Sequence, residues 1–328
     1  MSETAVRVHV ATPMAEEHRQ ELQAISPRVR LSYRPAIPYL KPAELDPELR
    51  DAEVLIGYHA YFDLAAAPRL RWLQLSSDGV DHLRGAPIMR SDVIITNARV
   101  FATPIAEYTF GSILSWSYRF PQMRERFQQQ RVYPQNQWEE YLSTELSGQT
   151  LAIIGYGAIG HRIATLAKAF DMTVLATRRS ATVRALVDGV EVHPADQLRD
   201  VLGRADVVVI CLPLTAETAG LIGEAELRAM RPTAYLVAVG RGAVIDEVAL
   251  VRALREGWIG GAGLDVFAQR PLPADSPFFD LPNVIMTPHM SGVSNGYARR
   301  GTALVRENLR RYLAGGELVN VVDKTKGY

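Results

Sequence analysis

The chain has 328 residues, 48% of them hydrophobic, which is enough to bury the cores of two domains. Lysine plus arginine and aspartate plus glutamate balance at 36 each and are scattered, so no basic field exists to attract nucleic acid or an anionic membrane. One cysteine, Cys211, excludes a disulfide within the chain, and no apolar run is long enough to span a bilayer, so a soluble, cytoplasmic protein is expected.

The N-terminus alternates Val6, Val8 and Val10 with Arg7 and His9, which is strand periodicity without the continuous apolar core of a signal peptide. Up to about residue 97, VRVHVAT, VRLSY, AEVLIGY, RWLQLSS and VIITN read as strands, separated by short polar or helical stretches such as MAEEHRQELQAI. This predicts a small α/β unit with a parallel sheet. A long helical pattern then begins at Thr103 and Pro104, a cap residue followed by proline at the first helical position, and Pro121 divides it. From Leu151 six more strand-like runs follow: LAIIGYG, MTVLAT, ADVVVICLP, AYLVAVG, GAGLDVF and NVIMTPH. Near-continuous apolar strands of this kind suit a sheet covered on both faces, and Cys211 inside one of them reads as a small buried hydrophobe. The last pattern, SNGYARRGTALVRENLRRYLAGG, predicts a helix capped at Ser294 and stopped by Gly315 and Gly316. It returns to the first domain. The expected architecture is therefore two α/β domains with parallel sheets, Rossmann-like or flavodoxin-like, one inserted into the other. Residues 1–100 and 290–328 form the outer domain and residues 101–289 the inserted, nucleotide-binding one.

LAIIGYGAIGHRIATLAKAF is a strand, a GxGxxG turn through Gly155, Gly157 and Gly160, and a helix. The glycines permit a tight turn, close approach of backbone to a pyrophosphate, and packing of helix on strand, and the helix N-terminus faces the anion. No Walker-type phosphate loop competes with this reading. At the end of the next strand, VLATRRS, an acid would hold the ribose 2′-hydroxyl of NAD. Here Arg178 stands, beside Thr177, Arg179 and Ser180, offering two guanidinium forks and two hydroxyls to a 2′-phosphate. NADP(H) is the preferred cofactor on this reading, with NAD(H) as the alternative and a solvated basic loop as the plain explanation.

Three further segments end predicted strands, where ligands bind in open α/β sheets: VGRGAVIDEVAL, GLDVFAQRPLP and TPHMSG. They supply Arg241, Asp265 and His289. An arginine can grip a carboxylate bidentately and polarise an adjacent carbonyl, and a histidine can exchange a hydroxyl proton as hydride moves. Taken singly, each has a bland reading: a surface cap, a loop acceptor, a satisfied core histidine.

LQLSSDGVDHL, GYGAIG, CLPLTAET, GRGAVIDEVAL, GLDVFAQRPLP and TPHMSG occur in an order that resembles the D-isomer-specific 2-hydroxyacid dehydrogenases, the glyoxylate/hydroxypyruvate reductases among them, over essentially the whole chain. The resemblance implies an oxidoreductase that transfers hydride between NAD(P)H and a small 2-ketoacid, with the outer domain as the substrate domain. It makes Arg241 the substrate-binding and polarising arginine and His289 the general acid/base, and it places backbone amides around Asp78, Gly79 and Val80 on the substrate carboxylate. It also implies cofactor contacts at the glycine loop with Ala158 and Ile159, and at Leu212, Pro213, Thr218, Val239, Gly240, Asp265 and Gly292. No metal is implied. A homodimer is, with the helix from residue 104 at its interface.

Several residues depart from the family pattern. Arg270 stands directly before a proline where the family has a glutamate paired with the catalytic histidine. A carboxylate beside an imidazolium raises its pKa and a guanidinium lowers it, so exchanging one for the other moves it by about one to three units. His289 would then donate a proton poorly at neutral pH, and the chain could instead be a catalytically impaired dinucleotide-binding protein that senses cofactor state. Asp265 and Glu247 are candidate compensators. Asp78 puts an acid in the carboxylate-binding loop, Ala238 replaces a usual asparagine, and Asp171 a common glycine. Tyr58, His59 and Trp138 are candidates to line a substrate pocket.

Overall fold

The computed structural model describes residues 4–35, 47–58, 64–131, 139 and 142–327; His59 and Trp138 lie outside the described residues. In chain order the elements are β1 (Val6–Val10), α1 (Glu16–Gln23), β2 (Val29–Tyr33), β3 (Val54–Gly57), β4 (Trp72–Leu75), β5 (Ile94–Thr96), α2 (Ala102–Ser117) and α3 (Phe120–Gln130). Then follow β6 (Thr150–Ile154), α4 (Ala158–Ala169), β7 (Thr173–Thr177), β8 (Ala185–Val187), β9 (Val190–His193), α5 (Leu198–Gly203) and β10 (Val207–Ile210). The chain finishes with α6 (Glu224–Ala229), β11 (Tyr235–Ala238), α7 (Glu247–Arg255), β12 (Gly261–Leu264), β13 (Val284–Met286) and α8 (Tyr297–Leu313). Contacts divide the chain into two units, Met1–Phe101 with Ser294–Tyr328, and Ala102–Val293.

The first unit is a five-stranded parallel sheet in the order β2-β1-β3-β4-β5. Alternation along the strands splits its core in two. Val54, Ile56 and Trp72 face Val305 and Leu309 of α8, while Leu55, Leu73 and Leu75 face Leu83 and Ile95. A buried polar network ties α8 to this sheet: Trp72 Nε1 donates to Thr96 Oγ1 (2.8 Å), and Thr96 Oγ1 (2.9 Å) and Asn308 Nδ2 (3.1 Å) both donate to Gln74 Oε1. Each of these three donors has a buried acceptor, so the network sets the register of α8 as well as holding it.

The second unit is an eight-stranded sheet, β13-β12-β11-β10-β6-β7-β9-β8, parallel throughout except for β8 against β9. The central β10, VVVI, is buried at all four positions, as a strand covered on both faces requires. Among the described residues no helix is long and apolar enough to cross a membrane.

The structure shifts several predicted boundaries. The hairpin β8–β9 was not predicted; Asp188 (φ 49°) and Gly189 (φ 75°) form its two-residue turn, and an Asp-Gly pair between alternating residues is the usual signal for one. The helix expected from Thr103 starts at Ala102, so Pro104 falls in its first turn, where a missing N–H is harmless. The break after α2 comes at Arg119, in the left-handed region (φ 53°), and Pro121 opens the next helix. Helix α8 begins at Tyr297 and is not capped by Ser294, whose side chain accepts from Arg300 Nη2 (3.0 Å) while Asn295 and Gly296 complete a turn. Gly315 (φ 69°) does end it.

Gly301 lies in the interior of α8, and a Cβ built there meets nothing within 4 Å. Alanine removes the entropic penalty of a helical glycine without a clash, so Gly301→Ala is expected to stabilise the fold by about 0.5–1 kcal/mol, read as a higher urea midpoint at unchanged slope.

Candidate active site

The glycine turn is built by close backbone packing at the ends of β6, β7 and β10. Gly155 (φ 109°) sits where a Cβ would meet Leu212 Cδ2 at 3.0 Å and the Cys211 carbonyl oxygen at 3.1 Å, and its N–H and that of Tyr156 donate to the Thr177 carbonyl. A Cβ at Gly160 would lie 2.6 Å from the Gly155 carbonyl oxygen. At Gly157, the residue before α4, nothing lies within 4 Å of a Cβ. The turn is thus closed toward the protein and open at the helix N-terminus, the shape a pyrophosphate needs. The residues present fit a dinucleotide. Cys211 is no nucleophile: its thiol donates to the Gly155 carbonyl (3.0 Å), and burial pushes its pKa up to about 12.

Beyond β7, Arg178, Arg179 and Ser180 are exposed. The Arg178 N–H donates to the His193 carbonyl and the Arg178 carbonyl accepts from Ala181 N–H, so the hairpin anchors this loop. Thr177 is less accessible than its place in the sequence suggests. It is buried at the strand end, so of the two hydroxyls expected to face a 2′-phosphate only that of Ser180 is exposed. Thr218 secures its own loop, accepting from Thr215 N–H (2.8 Å) and donating to the Pro213 carbonyl (2.7 Å). Val239 is buried, and a Cβ at Gly240 would meet the Leu212 carbonyl oxygen at 2.5 Å.

Arg241, Arg270 and His289 follow β11, β12 and β13, three neighbouring strands. Local packing stitches their loops. A Cβ at Gly242 would fall 2.0 Å from the Phe267 backbone, so the Arg241 turn lies directly on the loop that leads to Arg270. Asp246 caps α7, accepting from Val248 and Ala249 N–H, and Glu247 accepts from Ala268 N–H at 2.7 Å. Glu247 therefore holds the loop backbone that leads to Arg270. Arg241 is half-buried and donates to the Gly240 carbonyl (3.0 Å); Arg270 is exposed.

Asp265 is fully buried and accepts three hydrogen bonds, from Thr287 Oγ1 (2.6 Å), Met290 N–H (2.8 Å) and Ser291 N–H (2.9 Å). Those donors flank His289, which is exposed and holds a left-handed backbone (φ 56°). The carboxylate thus fixes an uncommon conformation at the proposed acid/base, a typical place for stored strain. Behind Thr287 stands Tyr108 of α2, its hydroxyl 2.6 Å from Thr287 Oγ1 and its pKa raised, chiefly by burial. With Thr287 donating to Asp265, Tyr108 is the donor to Thr287. Asp171 adopts φ 55°, which suits the glycine usual in the family and which aspartate tolerates.

In the first unit, Asn97 Nδ2 donates to the Asp78 carbonyl (2.7 Å) and Ser77 Oγ to the Gly79 carbonyl (3.0 Å), while Val80 is buried. Asn97, Tyr108 and Thr287 were not singled out in the sequence. A polar residue directly after an apolar strand, as in VIITN and NVIMT, is the signal that could have found Asn97 and Thr287; nothing local marks Tyr108. Among the described residues no cluster of three metal-ligating side chains occurs.

The family described as D-isomer specific 2-hydroxyacid dehydrogenase, NAD binding domain, matches residues 110–291. The glyoxylate reductase of Korarchaeum cryptofilum is 35% identical over 269 residues, 79% of this chain and 78% of the relative. The structure is similar to that of a D-isomer specific 2-hydroxyacid dehydrogenase family protein from Aeromonas salmonicida, 34% identical, with a TM-score of 0.82 over 98% of this chain and 100% of the other. It also resembles an NADPH-dependent glyoxylate/hydroxypyruvate reductase from Sinorhizobium meliloti in complex with NADP and sulfate, at 27% identity and a TM-score of 0.79 over 98% and 100% of the two chains. A family match over more than half the chain agrees with the glycine turn and the three stitched loops: the chain belongs to the D-isomer specific 2-hydroxyacid dehydrogenase family.

Proposed function

We propose that this NAD(P)-dependent oxidoreductase is an NADPH-preferring reductase of short 2-ketoacids such as glyoxylate or hydroxypyruvate. The observation that carries the reading is the loop of His289, held by the buried Asp265 carboxylate beside the loops of Arg241 and Arg270. The names of the relatives support the substrate class. Residues 102–293 are the dinucleotide-binding unit on this reading, and the remainder is the substrate unit.

The bound cofactor supplies a hydride for the substrate's carbonyl carbon. Arg241 orients the ketoacid through its carboxylate and polarises the carbonyl, and His289 gives the carbonyl oxygen its proton. The backbone of Asp78, Gly79 and Val80 is assigned to carboxylate binding. The pyrophosphate belongs at Gly157, Ala158 and Ile159, and Arg178 with Arg179 recognises the 2′-phosphate. A homodimer built on α2 and α3, where the Tyr118, Phe120 and Phe127 rings are exposed, belongs to the same reading.

Replacing Arg178 and Arg179 together by serine is expected to lower kcat/KM for NADPH by about 10- to 100-fold, the loss of one or two exposed charge-assisted contacts, and to leave the value for NADH within a factor of about three. Parallel initial rates with the two cofactors check this.

The decisive measurement is the rate of NADPH oxidation with glyoxylate and hydroxypyruvate from acid to neutral pH, for the wild type and Arg270→Glu. A guanidinium disfavours the protonated imidazole, so the wild-type rate rises toward acid; a carboxylate favours it, so the variant holds its rate about one to three pH units higher. Superimposed profiles refute the assignment of Arg270. Arg270 at the glutamate position also favours a second reading, a cofactor-sensing protein without turnover. NADPH binding with no activity in either protein, over a broad ketoacid panel, selects it.

A further inference from the structure

A cavity of about 410 Å³ opens in the first unit at the carboxyl ends of β1, β3 and β4. Its floor is Ile56, Gln74 and Leu75, all buried. One wall is the first turns of α8, with Ala298, Gly301 and Val305; the other is the β1–α1 connection through Pro13 and Met14, with His18 and Tyr33 at the rim. Two features mark it as a built site. In a sheet ordered β2-β1-β3-β4-β5 the connections diverge between β1 and β3, and the carboxyl end of that switch point is where open α/β sheets hold ligands. The helix facing it also leaves the space open, since a Cβ at Gly301 would meet nothing within 4 Å.

The chemistry of the lining selects the occupant. It is mostly apolar and carries no arginine or lysine among its described residues. Gln74 on the floor is engaged inside the sheet, donating to the Leu75 carbonyl (2.9 Å) and accepting from Thr96 and Asn308. The Tyr297 hydroxyl donates to the Ser76 carbonyl (2.9 Å). At the rim, His18 lies 3.1 Å from Glu21 and 3.7 Å from Glu17, while the nearby cations are matched: Arg19 pairs with Glu16 and lies over the Tyr33 ring, and Arg306 pairs with Glu21. With no arginine or lysine in the lining to meet its charge, an anion is disfavoured there, which separates this site from one that takes a 2-ketoacid. The Tyr33 hydroxyl accepts from Met14 N–H (3.5 Å), a role that leaves its O–H able to donate. Tyrosine rings and the Met14 thioether are favourable surfaces for a flat apolar molecule.

We propose that this cavity is a second small-molecule site, which binds a neutral aromatic molecule of one or two rings carrying a single hydrogen-bonding group. The volume falls in the range of small-molecule pockets. The test is calorimetric titration of indole into the full chain with NADPH saturating. One equivalent is expected to bind with a Kd below about 1 mM, and indole-2-carboxylate at least about tenfold more weakly. Gly301→Leu and Ala298→Leu, which place a side chain in the cavity, are each expected to weaken indole at least about tenfold while NADPH affinity stays at the parent value. Ala298 is exposed at the mouth, so that variant carries the test should the larger change at Gly301 unfold the helix. The proposal is overturned if indole does not saturate by about 5 mM, if its binding ignores the leucine that folds, or if the carboxylate binds as well as indole.

Discussion

His289→Gln is expected to lower kcat for NADPH-dependent ketoacid reduction by about 10²- to 10⁴-fold, the usual contribution of a positioned general acid. Glutamine fills similar space and can hydrogen-bond, but at working pH it has no proton to give to the carbonyl oxygen. The residue is exposed on its loop, and the buried donors to Asp265 come from its neighbours, so the fold and the affinity for NADPH should not change. Steady-state kinetics beside a cofactor titration separates the two quantities. A variant with parental kcat would remove His289 from the reaction, whatever its position in the motif.

The second large effect is expected at Asp265, and it combines stability with rate. Asp265→Ala leaves the Thr287 hydroxyl and the N–H groups of Met290 and Ser291 without their acceptor, and Ser291 is buried. Hydrogen bonds to a charged group contribute about 1.5–3 kcal/mol each, and a buried donor left unmet costs about 1–3 kcal/mol. Because the three share one acceptor and partly relax together, a net loss of about 2–4 kcal/mol is expected in denaturant unfolding. Released from its left-handed backbone, the imidazole also moves, and a displacement of about 1 Å is enough for a 10²-fold loss in kcat. Asp265→Asn keeps acceptor capacity through one oxygen and should fall between the wild type and alanine in both measurements. If asparagine behaved as the wild type in rate, the charge would be irrelevant and only the loop geometry would matter.

The sheets were legible because their strands are continuous runs such as VVVI and LAII, whose burial on both faces leaves little else for them to form. Helix edges were less so. Ser294 has the chemistry of a cap, yet the turn through Asn295 and Gly296 delays the helix to Tyr297, a competition settled by local backbone geometry that residue type does not display. The hairpin β8–β9 was missed although its Asp-Gly turn is in plain view, because ALV is too short to stand out as a strand. At the candidate site, Arg241, Asp265 and His289 could be named from their motifs, but the purpose of Asp265 could not, since its three donors lie 22 to 26 residues further on. Tyr108 is the extreme case. Its contact with Thr287 joins residues 179 apart, and only the folded second unit brings them together. Thr177 is the converse: its hydroxyl reads in the sequence as facing a ligand, whereas the end of β7 buries it together with Val174, Leu175 and Ala176.

The N-terminal sheet depends on a helix made about two hundred residues later. Val305 and Leu309 complete one of its two cores, and Asn308 closes the network around Gln74. On a ribosome adding about 5–20 residues per second, α8 emerges roughly ten to forty seconds after β5. Until then the apolar face that carries Val54, Ile56 and Trp72 lacks the part of its cover that α8 provides, whereas residues 102–293 are contiguous and need no later segment to complete their unit. Synthesis order and completion order are therefore reversed: the half of the protein made first is completed last, and during that interval its uncovered strands are the surface on which a chaperone, or another nascent copy, can act.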